Sequence, residues 1–392
     1  MLRQRSPTGQ RFHYNSYRCM SVANEQVLLG LSLQQLTAVA EGAGQRPYRA
    51  KQIFEAIYRQ RVQSMEEIST LPEALRATLQ ESGIQVGYPA IDRKFTSQDG
   101  TVRYLIKFAD GQTVETVWMP QGDGVDPSEG GRRDLRNASS IPQTWDRATI
   151  CVSSQVGCAV NCQFCLTAKL GVKRNLTAGE IVGQVLAVLN DQNVSPPQQR
   201  VNLVFMGMGE PFLNYDNFIQ AVRLLVEGVQ IPEARMTVST AGIVPRIYDL
   251  GKESVRPRLA ISLNAPNDAI REEIMPINRK WNLDALMTAA REYPLRGREY
   301  ITFEYVVLEG VNDADDHARE VVGLLRDIRS KVNLIALNPG PGIDFRTPQT
   351  ERMARFQQIL IKAGIATFVR RPRGRDIFAA CGQLKRTLEA VS

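Results

Sequence analysis

Cys158, Cys162 and Cys165 are spaced C-x3-C-x2-C within the run Cys151-Val-Ser-Ser-Gln-Val-Gly-Cys158-Ala-Val-Asn-Cys162-Gln-Phe-Cys165. Cysteine thiolates are the usual ligands of four-iron clusters, and a complete cysteine set numbers four. A triplet leaves one iron open. An open coordination position is a place for chemistry, as in catalytic metal sites. Zinc is the alternative. It would need a fourth ligand from Cys151, Cys381 or a distant carboxylate, because His13 and His317 both lie far from the triplet in sequence. A pure electron carrier would normally complete its cysteine set.

Further residues could serve a ligand beside such a cluster. An apolar run over 201–206 ends in Gly207-Met-Gly-Glu210-Pro211. Glycines let backbone approach a ligand, and a carboxylate accepts hydrogen bonds from an ammonium. Ser239, the run Ser262-Leu263-Asn264, and Asn338 each end a later apolar run. Short polar side chains suit a ribose, a carboxylate or an adenine edge, although each alone reads more readily as a turn residue. From its surroundings, Cys381 reads as a packed thiol among Ala379, Ala380 and Gly382. Cys151 reads as a core residue of an apolar strand. Glu115, in an alternating strand, reads as a solvent-facing carboxylate.

These residues need elements to hold them. Short apolar runs over 148–152, 201–206, 236–239, 259–263, 301–307, 332–337 and 366–369 alternate with helical patterns such as 178–189 and 215–227. Repeated βα units predict a parallel sheet, here an α/β fold of the partial-barrel kind, over 147–371. Working residues of such folds sit at the C-terminal ends of the strands. Thr177-Ala-Gly-Glu180 predicts a capping box that starts the helix after the triplet. Before the barrel, 25–90 reads as a helical domain threaded with arginines and lysines, and 91–121 as a β-ribbon turning at Asp110-Gly111. A polar stretch, 122–146, reads as a flexible insertion, and 1–24 as a basic tail. Residues 372–392 form a C-terminal segment, with a short helix expected from Cys381 onward.

Composition narrows the partners. The formal charge of +7 and pI of about 9.1 favour a polyanion, most simply a nucleic acid. Arg370, Arg371, Arg373 and Arg375, close before Cys381, suit an RNA backbone. No apolar run reaches the ~18 residues a membrane helix needs, so no membrane partner is expected. Six cysteines in a chain of 392 residues do not read as a disulfide scaffold and fit a reducing compartment such as the cytoplasm. The basic tail, which includes Arg3, Arg5, Arg11 and Arg18, would also suit an organellar leader.

The triplet after a first barrel strand resembles the radical S-adenosylmethionine superfamily. Longer strings are more specific: Cys151-Val-Ser-Ser-Gln-Val-Gly-Cys158, Gly207-Met-Gly-Glu-Pro211, Val238-Ser-Thr240, Ser262-Leu263, Ala265-Pro266-Asn267-Asp268, Met275-Pro-Ile-Asn278, Asn338-Pro339 and Ala379-Ala-Cys-Gly-Gln383. Together, over roughly 25–390, they resemble the RlmN/Cfr family of ribosomal-RNA adenine methyltransferases. The resemblance implies one [4Fe-4S] cluster on Cys158, Cys162 and Cys165. It implies cofactor contacts at Gly209, Glu210, Ser239, Ser262, Leu263, Asn264 and Asn338. The family often has His where this chain has Asn264. The implied reaction is methylation of C2 of adenosine 2503 in 23S rRNA, and of adenosine 37 in some tRNAs, with two S-adenosylmethionine molecules per turnover. Adenine C2 is electron-poor, so a radical route carried by the cofactor suits it. In that route Cys381 carries the methyl group as S-methylcysteine. Glu115 accepts a proton, and Cys151 attacks the Cys381 sulfur, leaving a disulfide. An external electron donor such as flavodoxin or ferredoxin is implied. Cfr-type methylation at C8, or a non-catalytic RNA-binding iron–sulfur protein, are the alternatives.

Overall fold

The computed structural model describes residues 26–121, 145 and 147–384. The expected basic tail, the 122–146 insertion apart from Trp145, and the expected terminal helix beyond residue 384 lie outside them. Residues 381–384 are turn and irregular chain rather than helix.

The chain opens with β1 (Gln26–Val27), α1 (Leu33–Gly42), α2 (Tyr48–Glu55), a π-helical turn (Ala56–Gln60), α3 (Glu73–Glu81) and β2 (Ile84–Gln85), with β1 parallel to β2. Ser32 and Gln35 close a capping box at the start of α1. The buried Tyr58 hydroxyl donates to Leu31 O and accepts from Gly30 N, both at 2.9 Å.

A meander follows: β3 (Ala90–Thr96), β4 (Val102–Lys107) and β5 (Thr113–Gln121). Next come β6 (Arg147–Cys151), β7 (Gln155–Gly157), α4 (Leu166–Lys169), β8 (Val172–Asn175) and α5 (Ala178–Asp191). The rest alternates: β9 (Arg200–Phe205), α6 (Tyr215–Glu227), β10 (Met236–Thr240), α7 (Val244–Lys252), β11 (Arg258–Ser262), α8 (Asp268–Ile274), α9 (Leu283–Glu292), β12 (Ile301–Val307), α10 (Asp315–Leu324), β13 (Ser330–Ala336), α11 (Thr350–Lys362) and β14 (Ala366–Arg370).

One ten-stranded sheet organises all this, in the order β14-β13-β12-β11-β10-β9-β6-β5-β4-β3. Strands β6 and β9 to β14 pair in parallel, and β3 to β5 continue the same sheet antiparallel. The expected ribbon is therefore an extension of the barrel sheet. The order is open, so the barrel is partial, as the βα alternation predicts. The crossover helices cover one face. Helix α5 is buried along almost its whole length, with Gly179 against the Leu29 backbone and Gly183 against Pro89.

The opposite face is the concave one. Register and alternation decide what it carries. Arg103, Val117 and Cys151 are partners across β4, β5 and β6, so Glu115, two residues from Val117, joins them. Through β9 and β10 the same face reaches Ser239, then Ser262, Glu304 and Asn333, which are partners across β11, β12 and β13. Arg370, opposite Ile335, completes it. A sheet buried on both faces carries few charges, so this polar row marks a site.

Candidate active site in the concave face of the sheet

The triplet lies in the loop from β7 to α4, not directly after β6 as the sequence pattern suggests. The short β7–β8 hairpin brackets it, and Cys158 N donates to Gly171 O at 3.0 Å. Gly157 makes this close approach possible. It has φ +84°, and a Cβ there would strike the Gly171 carbonyl. Gln163 N donates to Ile274 O at 2.9 Å, tying the loop to α8. Cys158, Cys162 and Cys165 pack among Val160, Phe164, Ala241, Ala265 and Met275. Burial pushes the Cys158 thiol up to about 12. It pushes Cys162 well up too, with Cys165 and Cys158 adding repulsion. Thiolates gathered in so apolar a place would need cationic compensation, which bound iron would supply. Among the described residues no His, Cys, Asp or Glu group closes round a single metal ion. The donor set is thiols alone, which fits an iron–sulfur cluster.

The expected capping box forms. Thr177 Oγ1 accepts from Glu180 N at 3.1 Å, and Glu180 accepts from Thr177 N at 2.9 Å. Arg174 grips the same carboxylate at 2.7 Å through both terminal nitrogens.

The Gly207–Pro211 turn is laced to the end of β6. Met208 N donates to Ser153 Oγ at 2.8 Å, Ser154 N to Met208 O at 2.8 Å, and Glu210 N to Gln155 Oε1 at 2.9 Å. Gly209 has φ +99°, and a Cβ there would lie 2.6 Å from the Gln155 side chain. The Glu210 carboxylate accepts from Phe212 N at 3.0 Å and Ala241 N at 2.7 Å, so it clamps the β9 turn to the β10 turn. Burial pushes its carboxyl up to about 7 against those hydrogen bonds. It sits close enough to Cys158 and Cys162 to raise both.

Ser239 Oγ and Ser262 Oγ are 3.2 Å apart. Leu263 N and Asn264 N donate to Glu304 O. Asn264 has φ +58°, and its amide works inward: Val306 N donates to Oδ1 at 2.8 Å, and Nδ2 contacts Met275 Sδ at 3.1 Å. The buried Arg271 ties the same turns, donating to Leu263 O, Ala241 O, Ser262 O and Asn278 Oδ1.

The segment after β14 folds back over the concave face. Asp376 accepts from Ser97 Oγ at 2.6 Å and Gln98 N at 3.3 Å, and Asp99 accepts from Gly374 N at 3.0 Å. Further on, Leu166 N donates to Gly382 O at 2.8 Å, Asn338 Nδ2 to Cys381 O at 3.2 Å, and Gln383 Nε2 to Pro339 O at 2.8 Å. Cys381 thus hangs from the cluster loop on one side and the Asn338 turn on the other. It is exposed at its surface rather than packed. Yet protein surrounds it closely enough for burial to push its thiol up to about 11. Both fit a side chain at the floor of an open mouth. Cys151 is buried, and burial pushes its thiol up, with Cys381 adding to the effect.

Glu115 is not solvent-facing. It is 1% exposed and accepts from Arg103 Nη1 at 2.6 Å, while Arg103 lies over the Phe95 ring. The structure therefore brings together the triplet, Gly209, Glu210, Ser239, Ser262, Asn338, Cys151, Glu115 and Cys381 on one face. It turns the Asn264 side chain into the protein. Arg103, Glu304 and Asn333 were missed by sequence reading. A lone glutamate inside the apolar run Ile-Thr-Phe-Glu-Tyr-Val-Val was the available signal for Glu304.

The radical S-adenosylmethionine superfamily profile matches residues 152–322, and the ribosomal RNA large subunit methyltransferase N-terminal domain profile matches 26–84. The "Probable dual-specificity RNA methyltransferase RlmN" of Koribacter versatilis is 62% identical over 88% of this chain and 98% of its own length. The chain belongs to the RlmN family. The dual-specificity RNA methyltransferase RlmN of Syntrophobacter fumaroxidans is 43% identical over 90% of this chain and 96% of its own length. A crystal structure of a radical SAM methyltransferase from Sphaerobacter thermophilus superposes with a TM-score of 0.80, at 41% identity, over 92% of this chain and 99% of that one. As an RlmN family member, the chain is an S-adenosylmethionine-dependent RNA methyltransferase that uses an iron–sulfur cluster.

Proposed function

We propose that the chain methylates C2 of adenosine through Cys381, at adenosine 2503 of 23S rRNA and adenosine 37 of tRNAs. The observation that carries this is the placement of Cys381. Its thiol is exposed in the mouth of the sheet, with the cluster loop bonded to the next residue and Cys151 close by. A residue so placed can meet a cofactor from below and a nucleobase from above.

Cys158, Cys162 and Cys165 would hold a [4Fe-4S] cluster, and Gly209, Glu210, Ser239, Ser262 and Asn338 would line the cofactor's bed. Leu263 and Asn264 would shape that bed by contact, since the Asn264 amide and the backbone of both are already engaged. The bound cluster and two S-adenosylmethionine molecules supply the methyl group and the radical chemistry. Cys381 would take the methyl group on sulfur; that group would give up one hydrogen atom to the radical the bound cofactor supplies, and its carbon would bond to C2, joining Cys381 to the RNA, with one electron passing back to the cluster. Glu115, paired with Arg103, accepts the proton that C2 loses. Cys151 would then attack the Cys381 sulfur, forming the Cys151–Cys381 disulfide as the bond from that sulfur to the RNA-linked carbon breaks, and the departing carbon would take up a proton to complete the methyl group. An external donor such as flavodoxin or ferredoxin would feed the cluster, and a two-electron reductant would return the cysteine pair to thiols.

The test is anaerobic reaction with iron-loaded chain, then mass spectrometry of the RNA nucleosides against C2- and C8-methyladenosine standards. The proposal expects 2-methyladenosine, its loss in Cys381→Ala, and a covalent RNA adduct on Cys381 in Cys151→Ala. A C8 product would give the Cfr-type reaction instead. Methylation that survives Cys381→Ala would refute the cysteine route.

A further inference from the structure

Glu304 and Asn333 have no part in the reaction described above, yet they occupy the centre of the concave face. They are register partners on β12 and β13, beside Ser262 on β11. Asn333 Nδ2 donates to Glu304 Oε1 at 2.9 Å. Its other amide atom, Oδ1, is buried and receives no hydrogen bond among the described residues. Glu304 is 8% exposed and Asn333 6%. Burial raises the Glu304 carboxyl, while Asn333, Arg370 and Lys331 pull it back toward the ionised form. The carboxylate also lies near enough to Cys381 to raise that thiol.

The pair is thus a carboxylate and an amide oxygen, both acceptors, next to the reacting sulfur. Buried acceptors without donors are costly, by about 1–3 kcal/mol for a neutral group and more for a charged one. Among the described residues nothing donates to Asn333 Oδ1, and a bound group bringing the missing hydrogens would relieve that cost. Two acceptors together call for a donor with more than one N–H. An exocyclic amine has that form. A phosphate or carboxylate ligand has none to give and would be repelled by Glu304.

We propose that Glu304 and Asn333 form an acceptor pair for the exocyclic amine of an adenine bound in the concave face. This rests on the reading of Cys381 as the methyl carrier to an adenosine. Adenine enters this enzyme class from two sources, the cofactor and the RNA target, and the same pair chemistry serves either. Glu304 supplies the charge-assisted hydrogen bond, and Asn333 orients the carboxylate and offers the second acceptor.

The test compares ligands with and without the amine, by calorimetric titration of iron-loaded full-length chain. In the cofactor arm the ligands are S-adenosylmethionine and its analogue with purine in place of adenine. In the RNA arm they are a stem-loop with adenosine at the target position and the same stem-loop with purine riboside there. The proposal expects the amine to strengthen binding by at least about tenfold in one arm, as for a hydrogen bond to a charged group. Whichever arm shows it names the source. The preference should vanish in Glu304→Leu and fall severalfold in Glu304→Gln, which keeps the shape and loses the charge. Should Glu304→Leu not fold, wild type and Glu304→Gln still decide. Indifference of the wild type to the amine in both arms overturns the proposal, as does a full preference retained in Glu304→Gln. The position of the RNA methyl group is read separately by mass spectrometry. Amine preference can therefore fail while C2 methylation stands, and the reverse.

Discussion

Glu115 has almost no water around it, and Arg103 at 2.6 Å is its charge partner. Such a pair is strongly destabilising to break from one side, because the remaining charge stays buried. Arg103→Met is expected to lower the unfolding free energy by about 3–5 kcal/mol. Arg103→Met with Glu115→Met should regain most of that, read by urea denaturation. Glu210 carries a pH dependence. Its folded carboxyl stands at about 7 against an ordinary 4.5, so the folded chain holds a proton that the unfolded chain has released. Stability from this group is full below its ordinary value and is lost as pH rises through about 7. Urea midpoints of iron-free chain should therefore fall from about pH 5 to about pH 8, by up to roughly 3 kcal/mol in unfolding free energy. Glu210→Gln should flatten that slope. At this scale the sequence was uneven. The triplet declared itself by spacing. Glu115 and Arg103 did not, because an alternating strand says that residues share a face but not which face is later covered. Next to them a segment from the far end of the chain packs on β4's flank, with Gly374 against Thr101 and bonded to Asp99.

The elements were more legible where periodicity or capping chemistry repeats over a full turn. The βα alternation anticipated each parallel strand of the ten-stranded sheet, though not the short parallel pair β1–β2, and Thr177-Ala-Gly-Glu180 anticipated the start of α5. Thr177→Ala removes the oxygen that receives Glu180 N, and should cost about 1 kcal/mol of stability in thermal or urea unfolding. The β7–β8 hairpin stayed hidden. Its strands are three and four residues long, too short for a period of two to register. The hairpin matters beyond its size, since it moves the cluster loop away from the end of β6 and fixes Cys158 by its backbone. The terminal helix expected from Cys381 gives way to a turn over the described residues, closed by Gln383 N donating to Ala380 O, while the carbonyls of Cys381 and Gly382 accept from Asn338 and Leu166.

The described residues are organised round one ten-stranded sheet, with a helical layer on one face and a polar row on the other, beside the short β1–β2 and β7–β8 pairs. No helix among the described residues is long and apolar enough to cross a membrane. The formal charge of +7 has its local expression in the arginines that follow β14, of which Arg371 and Arg375 are exposed. Affinity for an RNA stem-loop should fall linearly on a plot of log K against log salt, with about 0.7–0.9 of slope for each phosphate neutralised. Arg371→Gln with Arg375→Gln should reduce that slope by about 1.5, in filter binding across a salt series. The C-terminal segment has a consequence for how the protein is made. In chain order Cys381 comes after every strand of the sheet, while the cluster loop comes soon after β6. Domains begin to fold from the N-terminal side during synthesis. The loop carrying the Cys158–Cys165 triplet is therefore translated some two hundred residues before Cys381, as Cys165 and Cys381 are numbered. A nascent chain can thus present metal-ready thiols while the sulfur that would receive a methyl group does not yet exist.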